Sequence, residues 1–267
     1  MNPRLQRAQR LLRRAHMLAV ADRLRLGVRT VRAQRRNKEF AVRYPDFVLP
    51  PHHLAFDTYG IVEWRWYKKS GEVAARQIVE LLARHGMTRP RSLLDWGCGP
   101  ARVVRHLPGL MPETALHASD YDRKTIEWCT AHVDGVSFAV NGLEPPLPYG
   151  DGQFDCIYGI SVITHLSRTV AEAWLGELAR VLASGGLLAI WTNGDKVAQS
   201  LLPDERRAYE EGRHVTRACI GEGRKWFLSV HPQAWVREQL SRSFAVEEHV
   251  PGGFGGAGQD IWVARRL

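Results

Sequence analysis

At 267 residues, with 45% hydrophobic and 24% charged residues, the chain suits one large globular domain with appendages better than two full domains. No apolar run reaches the roughly 18–20 residues needed to span a bilayer, and no apolar signal-peptide core lies near the start, so a cytoplasmic protein is expected. The net charge of +9 sits almost wholly in residues 1–43, where thirteen Lys and Arg face only Asp22 and Glu39, and the remainder is nearly neutral. The four cysteines, Cys98, Cys129, Cys156 and Cys219, lack CxxC spacing and imply neither a disulfide framework nor a zinc site, and no metal is expected.

In the basic arm, residues 1–43, the apolar positions Leu5, Ala8, Leu11, Leu12, Ala15, Leu18 and Ala19 recur at helical steps with Arg7, Arg10, Arg13 and Arg14 between them. They predict an amphipathic helix from Arg4 to Ala19. A second basic helix, Arg23 to Lys38, is expected to break or kink near Gly27. The apolar stripe can pack on the body or on a second copy as a homodimer, or the arginine face can lie on an anionic membrane. Nucleic acid is disfavoured, because the arm has no aromatic side chains to stack on bases. The Arg-rich, acid-poor composition is also that of a mitochondrial transit peptide. Residues 44–70 then change character: Pro45, Pro50 and Pro51 interrupt helices, and His52, His53, Tyr59, Trp64, Trp66 and Tyr67 crowd together. Such a stretch serves as a lid or linker, or as an aromatic cluster that glues the arm to the body.

The body, residues 71–267, alternates helices and strands. A helix from Gly71 is closed by Gly86, and a strand Arg91 to Trp96 leads through a glycine turn into a helix Arg102 to Leu107. Strand Ala115 to Ser119 ends at Asp120 and precedes helix Arg123 to His132. Strand Val136 to Val140 ends at Asn141, and a Pro- and Gly-rich loop follows to Gln153. Strand Phe154 to Ile160, helix Thr169 to Leu182, a stop at Gly185-Gly186 and strand Leu187 to Thr192 complete the alternation. This order predicts an α/β fold with a parallel sheet covered on both faces. Helices near Pro203 to Gly212 and Pro232 to Arg242 come next. Strands Phe244 to Val250 and Asp260 to Arg265, joined by a Gly-rich link, predict an antiparallel C-terminal hairpin and a sheet of seven strands.

The turn Asp95-Trp96-Gly97-Cys98-Gly99-Pro100-Ala101-Arg102 is a cofactor loop at the first strand-to-helix crossing. It is not a dinucleotide fingerprint, since Arg102 stands where the last glycine belongs, and it is not a Walker loop, since no Lys-Ser/Thr follows. With its context the stretch resembles the class I S-adenosylmethionine-dependent methyltransferases, in a bacterial branch that modifies glycans or small molecules. Leu93 to Gly99, Ser119-Asp120-Tyr121-Asp122, Leu147 to Asp155 and Glu177 to Leu187 match four signatures of that family in order. The resemblance implies a Rossmann-like fold and S-adenosyl-L-methionine as cofactor. It implies Asp120 on the ribose hydroxyls, Asp95 near the ammonium, and Gly97, Cys98, Gly99 and Arg102 around the methionine part. Asn141 and Gly142 approach the adenine edge, Tyr121 belongs to the same cofactor site, and Ser161 and Val162 border the transferred methyl. Ala101 replaces a third small glycine position and is expected only to tighten helix packing.

Enzymes of this kind that methylate amide or ring nitrogens carry Asn/Asp-Pro-Pro-aromatic after the fourth strand. Here that slot is Gly159-Ile160-Ser161-Val162, which points to an oxygen acceptor. A hydroxyl acceptor wants a general base, and His165 is the candidate, with a helix-capping or carbonyl-binding role as its structural alternative. Trp191, Asn193, Tyr209, Arg213 and His231 are candidates to line the acceptor pocket. The tail from Pro251 to Asp260 resembles methyltransferases of surface glycoconjugates, although Thr192-Asn193-Gly194 lacks the His that several of those carry. O-methylation of a sugar, glycoconjugate or small molecule is therefore expected. An RNA or protein methyltransferase and a non-catalytic binding protein are the alternatives.

Overall fold

The computed structural model describes residues 18–218, 221–253 and 258–267. The chain divides into two compact units, Met1–Lys69 and Ser70–Leu267. The expected helix from Arg4 to Ala19 lies almost wholly outside the described residues.

In the first unit, α1 (Leu18–Arg43) runs without interruption through Gly27. The expected break is absent because one glycine costs a helix only about 1 kcal/mol, which its neighbours outweigh. Two further helices follow: α2 (His52–Tyr59), where the sequence reading had a lid or linker, and α3 (Trp64–Arg84), which begins in that stretch and continues as the helix expected from Gly71. Buried Asn37 ties them together: its amide donates to the Val62 carbonyl at 2.8 Å and its oxygen accepts from the Trp64 N–H at 3.0 Å. Phe40, Trp64 and Tyr67 form a buried aromatic cluster with Tyr44, Phe47 and Tyr59 against it. Proline punctuation thus separates helices without preventing them.

The second unit is a seven-stranded sheet of order β3-β2-β1-β4-β5-β9-β8. Its strands are β1 (Ser92–Trp96), β2 (Ala115–Asp120), β3 (Ser137–Val140), β4 (Phe154–Gly159), β5 (Leu182–Thr192), β8 (Phe244–Val250) and β9 (Asp260–Arg266). The first five are parallel; β9 runs antiparallel to both β5 and β8. The predicted mostly parallel sheet with its antiparallel C-terminal hairpin is observed.

Side chains alternate across the sheet, as the two-residue period of a strand requires. Leu93, Leu187 and Val263 face one core, with Ile78 and Leu82 of α3 and Ile126 and Cys129 of α4 (Arg123–His132). Leu94, Leu188 and Trp262 face the other, with Trp174 and Leu178 of α5 (Arg168–Val181) and Trp235 and Leu240 of α8 (Gln233–Ser241). Each such side chain contributes roughly 1.5–3 kcal/mol on burial. Gly86 closes α3 at φ +78, with the Met87 N–H reaching the Leu82 carbonyl at 2.9 Å.

Three local expectations are corrected. After the glycine turn there is a single 3-10 turn, Val104–His106, instead of a helix from Arg102 to Leu107. Ala101 adopts φ +55 while fully buried, so it does more than tighten packing: it holds a left-handed conformation that suits glycine. Gly185 and Gly186 do not stop the chain short of β5 but lie inside it, next to a register shift against β4 between Phe154 and Cys156. Between β5 and α8 the sequence reading missed much. A short helix α6 (Asp195–Ala198) precedes α7 (Pro203–Glu210), and β6 (Val215–Ala218) pairs with β7 (Phe227–Val230) in a separate two-stranded sheet.

Candidate active site

Because β1 to β5 are parallel, their C-terminal ends share one edge, where ligands of open α/β sheets bind. Two acids close neighbouring strands there, Asp95 within β1 and Asp120 at the end of β2. The glycine turn folds over β2: the N–H groups of Gly97 and Cys98 both donate to the Ser119 carbonyl, at 2.8 and 3.0 Å. The Gly99 N–H then donates to Asp120 Oδ2 and the Asp122 N–H to Oδ1, each at 2.9 Å. Each carboxylate oxygen can accept more than one hydrogen bond, so both keep capacity for a ligand.

Burial pushes the carboxyl of Asp120 upward, opposed by those backbone hydrogen bonds. Burial likewise pushes Asp95 up to about 7, opposed by the Tyr158 hydroxyl, which donates at 2.6 Å, and by the charge of Arg102. Two acids held in a desolvated edge call for positive charge or hydrogen-bond donors from a ligand.

Gly97 sits at φ +74, and a Cβ there would lie 2.3 Å from Val162 Cγ2. The approach of the β1 and β4 turns therefore requires glycine. Asn141 continues from Asp120, its N–H donating to the Asp120 carbonyl at 3.1 Å. Its side-chain oxygen is buried without a partner. These features fit S-adenosylmethionine: a carboxylate with open lone pairs for a diol, an acid for an ammonium, a backbone cradle and an unsatisfied acceptor for an amine.

Of the other residues singled out, Arg102 donates to Ser70 at 3.1 Å, and Gly142 packs against the Glu144 backbone. Ser161 lies just past β4 at φ +66, a strained position for serine. Its Oγ accepts from Gln259 Nε2 at 2.7 Å and lies 3.0 Å from Thr164 Oγ1, which itself donates to the Ser161 carbonyl. His165 Nδ1 is 2.8 Å from the Phe227 carbonyl. A carbonyl can only accept, so Nδ1 carries the proton and Nε2 keeps its lone pair. Burial holds this imidazole below its ordinary value, and it is neutral at pH 7.

The candidate acceptor residues are mostly occupied with structure. Asn193 donates to the Ser229 carbonyl at 2.8 Å and accepts from Gln259 at 3.1 Å. Tyr209 donates to Asp195 at 2.6 Å, Arg213 pairs with Glu211, and Trp191 and His231 are buried. Sequence reading missed Tyr158 and Gln259, whose neighbours along the chain do not announce them. The two downstream signatures prove to be one interlocked feature. Glu177 accepts from the Leu147 N–H at 2.7 Å, and Arg180 reaches the Tyr149 carbonyl at 3.0 Å and the Asp151 carboxylate.

Fold and edge together define an α/β domain that binds a nucleoside-containing cofactor. Residues 93–186 match the family described as methyltransferase domain. Over 127 residues the chain is 30% identical to trans-aconitate 2-methyltransferase of Methylobacterium nodulans, covering 46% of each chain. Over 144 residues it is 29% identical to ajmaline N-methyltransferase of Rauvolfia serpentina, covering 52% of this chain and 47% of that one. The matched region thus spans about half the length of these relatives. Among solved structures, magnesium protoporphyrin IX methyltransferase from Synechocystis, with bound S-adenosylhomocysteine, shares the fold. Its TM-score is 0.55 at 16% identity, over 80% of this chain and 97% of that one. Residues 93–186 are thus similar to methyltransferase domains, on a fold shared with a solved methyltransferase that holds S-adenosylhomocysteine.

Proposed function

We propose that the protein transfers a methyl group from S-adenosylmethionine to a hydroxyl oxygen of a sugar, glycoconjugate or small molecule. When bound, the cofactor supplies a methyl already activated on positive sulfur, so the protein's task is to orient the acceptor in line and take its proton. Asp120 would hold the ribose hydroxyls, and Asp95 the ammonium. Gly97, Cys98, Gly99 and Arg102 would border the methionine part, and Tyr121, Asn141 and Gly142 the adenine. Ser161 and Val162 flank the place where the methyl is delivered.

The observation that carries the oxygen acceptor is the state of His165. Its Nδ1–H is fixed on the Phe227 carbonyl, which leaves the Nε2 lone pair to take a proton, and burial shifts the imidazole toward its neutral form, which suits a group that removes a hydroxyl proton. The absence of a Pro-Pro-aromatic run after β4 agrees with it. Release of S-adenosylhomocysteine, followed with panels of hydroxylated sugars and amines, tests this reading. Turnover of hydroxyl acceptors, reduced roughly 100-fold in His165→Gln with S-adenosylhomocysteine affinity intact, is expected. Turnover confined to amines would overturn it.

A second reading concerns α1. Leu24, Val28 and Val31 are 66%, 50% and 71% exposed at helical spacing, with Arg25, Arg29 and Arg32 among them. This pattern suits peripheral contact of a cytoplasmic protein with an anionic membrane. No helix among the described residues is long and apolar enough to cross one. Sedimentation with phosphatidylserine vesicles should fall with salt and in a Leu24→Ser, Val28→Ser, Val31→Ser variant; unchanged sedimentation would refute the contact.

A further inference from the structure

The turn between β6 and β7, residues 221–226, leaves its own small sheet and reaches the edge of the large one. It is attached there on both sides of the donor cleft. On the β4 side, the Gly223 N–H donates to the His165 carbonyl at 2.9 Å, and Glu222 Oε1 accepts from the Ser167 N–H. On the β2 side, the Tyr121 hydroxyl donates to the Gly223 carbonyl at 3.2 Å. Gly223 adopts φ +83, and a Cβ there would lie 2.7 Å from Leu143 Cδ1 and 3.4 Å from the Tyr121 ring. A single glycine is thus pressed between the residues that follow Asp120 and Asn141–Gly142 while bonded to the segment that follows β4. Nothing in the packing of β6 on β7 demands this reach. Arg217 of β6 is already fixed by a bidentate pair with Glu205, at 2.8 and 2.9 Å.

We propose that residues 221–226 are a strap closing over the nucleoside end of the donor site, and that cofactor exchange requires the strap to lift. The inference rests on the assignment of Asp120 and Asn141 to the nucleoside. Its chemistry is that of a gate, held by hydrogen bonds to the His165 carbonyl, the Ser167 N–H and the Tyr121 hydroxyl that can each be exchanged for water. It also couples the two sides of the site, since the same turn that touches Tyr121 fixes the backbone of His165.

The strap carries Arg224 and Lys225, and Arg224 is exposed, so trypsin reports on its position. Saturating S-adenosylhomocysteine should slow cleavage after Arg224 and Lys225 by about tenfold or more. In Glu222→Ala and in Tyr121→Phe, stopped-flow binding of S-adenosylhomocysteine should show association and dissociation both several-fold faster, with the Kd changed less. A merely structural contact would raise dissociation alone. Cleavage indifferent to S-adenosylhomocysteine, or rates unchanged in both variants, would overturn the strap while the donor site stands. Failure of the wild-type chain to bind S-adenosylhomocysteine in calorimetry would overturn the donor assignment and the strap with it.

Discussion

At one half of the sheet edge, the proposed donor side, the polar groups come from the ends of β1, β2 and β3 and the turns directly after them. The Gly97 N–H donates to the Ser119 carbonyl, the Gly99 N–H to the Asp120 carboxylate and the Asn141 N–H to the Asp120 carbonyl. At the other half, the proposed acceptor side, Ser161, Asn193 and His165 are held by partners 98, 36 and 62 residues away, namely Gln259, Ser229 and Phe227. The first half is built by turns that follow neighbouring strands, joined over 21 residues at Gly99 and Asp120, the second by side-chain bonds over longer separations. Such turns can be shared widely among chains with different acceptors, while the longer-range bonds can be rewired around each one.

The comparison breaks most sharply at Asp120. Asp120→Ala removes two charge-assisted hydrogen bonds to a diol, each worth about 1.5–3 kcal/mol, and should weaken S-adenosylhomocysteine binding roughly 100-fold or more in calorimetry. Gly97→Ala forces a left-handed alanine against Val162 and should cost about 2 kcal/mol, a fall in Tm of roughly 4–8 °C.

The two sides also respond to pH in different ways. Below Asn193, His231 lies well under the usual imidazole range because it is buried, and burial takes His214 down to about 4. Lowered imidazoles contribute stability that is present above pH 6.5 and lost as the pH falls toward 4. In urea unfolding, wild type should therefore lose about 2 kcal/mol more than His214→Phe between pH 7 and pH 5. Asp95, raised to about 7 by burial, acts in the opposite sense on stability, which it supports at low pH and ceases to support as the pH rises through 7. Its effect on binding is the useful one, because only the carboxylate pairs with an ammonium. S-adenosylhomocysteine affinity should rise about tenfold from pH 6 to pH 8, and this dependence should vanish in Asp95→Asn.

The smallest expected effect is the most discriminating for the division itself. Gln259→Ala removes donors to Ser161 and Asn193 and should cost about 1 kcal/mol of stability, yet change S-adenosylhomocysteine affinity less than about twofold. A large loss of affinity would show that the two sides are not separate.

This division also sets what could be read from the sequence. The succession of helices and strands in the body, the C-terminal hairpin and the acids at β1 and β2 were legible because alternation, glycine turns and strand-end acids are written in neighbouring residues. The β6–β7 hairpin was not, because Val215–Ala218 is short and its partner strand lies beyond an irregular turn. Gln259 gave no signal, since its role depends on β9 bringing it beside the ends of β4 and β5. Gly27 and Ala101 misled for the opposite reason: local preference was overruled by the surrounding helix in one case and by a crowded turn in the other.

The central claim is that the edge made by Asp95, Gly97, Gly99, Asp120 and Asn141 is an S-adenosylmethionine site. Isothermal calorimetry of the intact chain with S-adenosylhomocysteine, NAD and ATP tests it most directly. Saturable one-to-one binding of S-adenosylhomocysteine, with neither NAD nor ATP competing, is predicted. Binding of NAD or ATP in its place, or of none of the three, would contradict it.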